Sequence, residues 1–172
     1  MRPRLLLAHP SILRLAIAIL LAEMFLLPAQ SASGADALPL PRFVSLKSAE
    51  VNLRTGPGTR YPIEWVYQRR GLPVEITAEF DNWRRVRDLD GAVGWIHRAL
   101  LSGRRSALVL PPERIFRRAP EDGAAALFRA GPGVLVYLLS CDGEWCHTEQ
   151  NESKAWVRQN GLWGVYPGEV IE

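Results

Sequence analysis

Offsetting the chain against itself by 62 positions places Gly71 on Gly133, Val74 on Val136, Ile76 on Leu138 and Trp83 on Trp145. At an offset of 61 Trp95-Ile96 meets Trp156-Val157, and at 63 Leu53-Arg54 meets Phe116-Arg117. Landmarks that keep their order with single-residue slips describe a duplicated unit of about 60 residues. A unit that short buries little surface and is marginal on its own, so two copies packed against each other are expected rather than two beads on a string. Pro111-Pro112, closing Leu108-Val109-Leu110, disfavours helix and is expected to mark the linker between the copies. The expected domains are residues 43–105 and 106–172.

Inside the first copy the apolar pattern has the period of short strands. Ala49 to Arg54, Ile63 to Gln68, Val74 to Phe80, Trp83 to Arg87 and Val93 to His97 alternate or run apolar. Gly71-Leu72-Pro73, Asp81-Asn82 and Asp88-Leu89-Asp90-Gly91 punctuate the later ones. No amphipathic helical stretch survives beyond residue 35, so the fold class is all-β. In Gly56-Pro57-Gly58-Thr59, Pro57 presets φ and Gly58 accepts φ > 0, which predicts a type II turn. Gly94 beside Trp95 fits close approach of a neighbouring strand, and Trp95 and Trp156 are expected in the core.

The string Asn52-Leu53-Arg54-Thr55-Gly56-Pro57-Gly58, with Tyr61 three residues on, Trp83 after a polar turn and a late Gly94-Trp95-Ile96, resembles the bacterial SH3 (SH3b) domain family. The resemblance covers most of residues 43–105, and residues 114–165 more loosely. It implies two tandem SH3-like β-barrels, a binding role and no catalysis. The second copy departs at the signature, where Arg118-Ala119-Pro120-Glu121-Asp122-Gly123 replaces the family string. That departure puts a second ligand site in doubt.

Residues 1–35 carry the marks of an export signal: Arg2, Arg4 and Arg14, then an apolar run from Leu15 to Leu27, Pro28 and a small-residue segment. The competing reading is an uncleaved membrane anchor over Ile12 to Leu27, against which stand its length and Glu23 within it. Without these residues the charge falls to 18 basic against 17 acidic side chains, so the basic balance belongs largely to the leader. What remains is asymmetric, with a net +4 over residues 43–105 and −3 over residues 106–172. A chain near neutrality and directed out of the cell is a poor nucleic-acid binder. The expected location is the periplasm, without membrane attachment once the signal is removed.

Cys141 and Cys146 flank a four-residue hairpin loop, Asp142-Gly143-Glu144-Trp145, with His147 adjacent. Three readings present themselves: a cross-strand disulfide, free thiols, or a metal or haem ligand set. An exported chain meets an oxidising compartment, which favours the disulfide. Zinc wants four ligands, or three and a water, and only Cys141, Cys146 and His147 cluster; for haem a second axial ligand is scarce. No metal or other cofactor is expected. Hydrolase, zinc-protease and phosphate-loop motifs are absent from the sequence, so no catalytic residue is assigned.

The aromatic residues are the better candidates for contact. Trp83 and Val86 have opposite parity on one strand, so one of them should face outward. If it is Trp83, then with Tyr61 and Trp65 it forms a shallow groove rimmed by Arg54, Arg60 and Arg84, suited to an extended peptide or a carboxylated glycan. The competing reading places these tryptophans in packing. The expected ligand-binding residues are Arg54, Tyr61, Trp65 and Trp83. The expected function is a non-catalytic envelope module that binds peptidoglycan or its stem peptides; the alternative is a periplasmic protein-protein interaction or scaffold module. Oligomeric state is not legible.

Overall fold

The computed structural model describes residues 38–172; the expected leader and the alternative anchor lie outside the described residues. The first copy contains β1 (Arg42–Leu46), β2 (Val51–Arg54), β3 (Ile63–Tyr67), β4 (Pro73–Phe80), β5 (Trp83–Arg87), β6 (Val93–His97) and β7 (Leu101–Ser102). The second contains β8 (Ser106–Val109), β9 (Arg114–Arg117), β10 (Ala126–Ala130), β11 (Leu135–Asp142), β12 (Trp145–Gln150), β13 (Ser153–Arg158) and β14 (Leu162–Trp163), and β15 (Val170–Ile171) adds to β11. The spatial orders are β3-β2-β6-β5-β4-β1-β7 and β10-β9-β13-β12-β11-β8-β14, so each strand of one copy has its counterpart at the same place in the other. The chain is all-β, with two tandem barrels, and the five strands expected in the first copy end within two residues of those observed.

The duplication reaches single main-chain hydrogen bonds. Leu46 N–H donates to Leu72 and Val109 N–H to Val134, both at 2.9 Å; Arg98 donates to Asn82 and Gln159 to Glu144, both at 2.8 Å. Gly71 and Gly133, at φ +80 and +78, occupy the same turn, where a left-handed residue is needed and glycine adopts it without steric cost. Each copy closes over its own core. Leu46, Val51, Leu53, Val74, Ile76, Val86 and Ile96 fill the first, and Val109, Phe116, Val136, Leu138 and Val157 fill the second together with both cysteines.

Three expectations are corrected. Leu108 to Pro112 is not an inter-domain linker: β8 runs through Val109 and pairs with β11 and β14, and Pro111-Pro112 turns the chain towards β9 within the second copy. The chain passes between the sheets in residues 103–105 alone. Pro-Pro interrupts a strand in the same way inside a domain as between domains, so the sequence could not distinguish them. Trp95 and Trp156 also lie outside the cores, which take Ile96 and Val157 instead. The cause is the neighbouring glycine: a β-carbon on Gly94 would come 2.6 Å from Leu53 Cγ and 2.8 Å from the Arg54 carbonyl oxygen, so Gly94 faces inward and period 2 turns Trp95 away. Trp156 stacks on His147, with ring centroids 4.7 Å apart.

The third correction concerns the loop after β2. Gly58 is not among the positive-φ residues. Its N–H instead reaches the Gly56 carbonyl at 2.9 Å, a γ-turn across Pro57, and the Tyr61 N–H closes on Gly58 at 3.2 Å. Pro57 suits this turn as well as a type II turn, because both want φ near its fixed value. The divergent string of the second copy repeats the geometry: Glu121 N–H reaches Ala119 at 2.9 Å across Pro120, and Ala124 N–H reaches Glu121 at 3.2 Å. The loop form therefore persists where the family string does not.

The two copies press against each other. Phe43 on β1 sits edge-on to Trp163 at 5.1 Å and packs on Tyr166 at 4.8 Å. Ser106 Oγ donates to the Gly71 carbonyl at 2.6 Å, and Arg69 reaches the Gly133 carbonyl at 3.0 Å. Glu75, only 4% exposed, accepts from Arg87 within its own copy at 2.9 Å and from the Tyr166 phenol of the other at 3.0 Å.

Candidate binding site

The residues expected to bind fall into three places. Arg54 and Tyr61 stay together: Arg54 Nη1 donates to the carbonyls of Tyr61 at 2.8 Å and Thr59 at 3.1 Å, so its guanidinium ties the loop back onto β2. The Tyr61 ring lies over Gly56, and the Arg60 guanidinium stands 5.2 Å from its centroid. Arg84, expected on the rim, instead has little exposure and binds Glu79 at 3.0 Å and the Asp81 carbonyl at 2.8 Å.

Trp83 and Val86 divide as their parity requires, with Val86 in the core and Trp83 half-buried on the opposite face. The Trp83 ring meets His97 across the β5–β6 pairing, edge-on at 5.4 Å. The equivalent pair in the second copy is Trp145 and Arg158, also directly opposite each other. There the Arg158 guanidinium covers the indole at 4.2 Å and is held by Glu144 at 3.0 Å and by Asp122 from the loop after β9. Trp145 is left 4% exposed. The hydrogen bond from Arg158 holds the Asp122 carboxyl below the usual carboxylate range. One scaffold thus carries the same tryptophan twice, half-buried beside a histidine in the first copy and capped by an arginine in the second.

Trp65 belongs to a third place. It lines a cleft of about 530 Å³ with Tyr67, Leu72, Leu89, Asp88 and Asp90, and the walls of that cleft include none of Arg54, Tyr61 or Trp83. A larger cleft, about 560 Å³, lies at the junction of the copies beside Glu75, Arg87, Trp163 and Tyr166. Sequence reading missed His97, Arg158 and this junction. The signal for the first two was present in the repeat, since the offset of 61 that aligns Trp95 with Trp156 also places Arg158 against His97.

Cys141 and Cys146 stand opposite each other on β11 and β12 and are joined, with Cα atoms 4.1 Å apart. Asp142 Oδ1 caps the loop between them, accepting from Trp145 N–H at 2.7 Å and Glu144 N–H at 2.9 Å. Those bonds, from Trp145 above all, hold the Asp142 carboxyl below its ordinary range.

The family model for the bacterial SH3 domain matches residues 47–103 and 111–164. Among solved structures the chain is similar to NlpC2 of Trichomonas vaginalis, at 13% identity and a TM-score of 0.33 over 74% of this chain and 49% of that one. It is similar also to an NlpC/P60 family protein of Bacillus cereus, at 15% identity and a TM-score of 0.33 over 70% of this chain and 55% of that one. The chain thus spans about half the length of these structures. No curated protein matches it significantly.

Proposed function

Because the chain belongs to the bacterial SH3 domain family, matched over well over half its length, we propose that it is an exported, non-catalytic binding module of the cell envelope whose first copy recognises the stem peptides of peptidoglycan. The observation that carries this reading is the difference between the matched tryptophans. Trp83 offers an aromatic surface beside His97, whereas Trp145 is covered by its own arginine. An aromatic face supplies contact area at little entropic cost, and the net +4 of residues 43–105 suits a ligand that carries carboxylates. Among the described residues both cysteines are in the disulfide, so neither offers a thiol nucleophile.

Retention on purified sacculi tests the proposal. The wild-type chain is expected to be retained, and Trp83→Ala to lower retention by about tenfold, the effect of losing one aromatic contact of 1–2 kcal/mol. Absence of retention, or equal retention of the variant, overturns it. A second reading, a protein-interaction module, draws on β3, which is the edge of its sheet and exposes Ile63, Trp65 and Val66. Edges of this kind accept an added strand. Retention that survives Trp83→Ala and is lost with Val66→Lys would assign the ligand to that edge.

A further inference from the structure

The cleft beside Trp65 differs in chemistry from the rest of the first copy. Its walls are apolar, with Trp65 58% exposed and Leu72, Leu89 and Val66 alongside. Among the described residues its only charged lining groups are Asp88 and Asp90, in a copy whose net charge is +4. Asp88 is engaged, accepting from the Tyr67 phenol and from Ala92 N–H, both at 2.8 Å. Asp90 has no hydrogen bond or ion pair among the described residues. The phenol of Tyr67, at the inner end, is pushed up by burial, by its bond to Asp88 and by the negative charges of Asp88, Asp90 and Glu64. Two carboxylates therefore line one aromatic-walled space that, among the described residues, no basic side chain lines.

We propose that this cleft binds the alkylammonium side chain of a basic amino acid in a peptide, its methylenes against Trp65 and Leu89 and its ammonium at Asp90. An ammonium needs an anionic or π-rich counterpart once it leaves water, and its methylene stem needs apolar cover. The cleft supplies both in about 530 Å³, room for such a side chain with space to spare. A carboxylate or phosphate ligand would meet only like charge. The envelope reading supplies a source for the ammonium, but the chemistry of the cleft is testable apart from it.

The test is titration of the chain with acetyl-lysine methylamide, followed by the indole N–H resonance of Trp65 and the amides of Gly91 and Ala92. Acetyl-norleucine methylamide, which keeps the methylenes and drops the ammonium, is the control. The lysine probe is expected to shift these resonances saturably and the norleucine probe to do so much more weakly. Asp90→Asn is expected to weaken the lysine probe about two- to fivefold, the range for an exposed ion pair, with the remaining spectrum unchanged. Equal shifts from both probes, no shift from either, or an Asp90→Asn variant that binds as well as wild type overturns the proposal. A chain that binds the lysine probe here and is not retained on sacculi would sink the peptidoglycan reading and leave this one standing.

Discussion

A β-carbon on Gly56 would lie 2.4 Å from the Tyr61 ring, closer than any real contact, so the ring or the loop would have to shift to admit it. The second copy solves the same crowding with different sizes, placing Ala119 where the first has Gly56 and Ala124 where it has Tyr61, on an unchanged main chain. Gly56→Ala is therefore expected to destabilise the chain by about 1–3 kcal/mol through overpacking. In Gly56→Ala with Tyr61→Ala, the cost should be less than the sum of the singles, because the clash is gone. Denaturant unfolding of the four chains checks this, and additivity would show that the ring and the glycine do not meet. The sequence displayed the string but not its cause. Glycine beside proline reads as left-handed turn chemistry, whereas here it makes room for a ring five residues away. Trp95 was misplaced for a similar reason: inward or outward depends on what lies above Gly94, and Leu53 is 41 residues distant.

Strands are legible where apolar and polar residues alternate in the sequence, as in β4, and lost where both faces of the strand are covered, as in β1 and β8. In β1, Val44 and Leu46 turn to the first core and Phe43 to Trp163 and Tyr166 of the second copy, while the Ser45 hydroxyl donates to the Arg104 carbonyl at 2.7 Å, so no polar face marks the strand. Trp65 and Tyr61 look adjacent in sequence yet serve different surfaces, since β3 carries Trp65 towards the loop after β5. The hairpin of β11 and β12 was read correctly from its cysteines, but its cap was not. Asp142 bonds two successive N–H groups of the loop, and its carboxyl is held below the ordinary range in the folded chain. The stability it contributes is present above the unfolded value, near 3.9, and is lost as pH falls through the lower folded one. Asp142→Ala is expected to cost about 1 kcal/mol at neutral pH, comparable to a lost cap, and to flatten the acid limb of stability against pH. Unfolding curves from pH 7 to 2 check it, and an acid limb identical in both chains would assign that dependence to other carboxylates such as Glu169, which burial pushes up but which the bonds from Arg105 and the Tyr166 N–H, with the Arg105 charge, together hold below its ordinary range.

Two barrels of this size share what neither holds alone. Glu75 lies on the face of β4 turned away from the first core, opposite to Val74 and Ile76, and one of its two hydrogen-bond partners, Tyr166, comes from the second copy. Arg105, in the short connection, grips Glu169 with both ends of its guanidinium, at 2.7 and 3.1 Å, and reaches the Gly164 carbonyl at 2.7 Å, which fixes the segment carrying Tyr166. Separating the copies would return Glu75 to water but uncover the contact of Phe43 with Trp163 and Tyr166, whose burial favours the joined form. A single cooperative unfolding transition is expected for residues 38–172, with coincident midpoints from fluorescence and circular dichroism. Tyr166→Phe removes the shared bond and should lower stability by about 1–2 kcal/mol. Its pH dependence gives the sharper test. The Tyr166 phenol is pushed above its ordinary value by burial and then by the Glu75 carboxylate. Its contribution is complete below the unfolded value, about 10, and falls as pH rises, because the unfolded chain releases the proton first. Wild type should lose stability above about pH 10, and Tyr166→Phe should lose less. Tyr67 contributes to both chains alike and cancels in the difference. Two resolved transitions in the wild type, or alkaline limbs of equal slope, would mean that the barrels fold independently and that the Glu75–Tyr166 contact does not couple them.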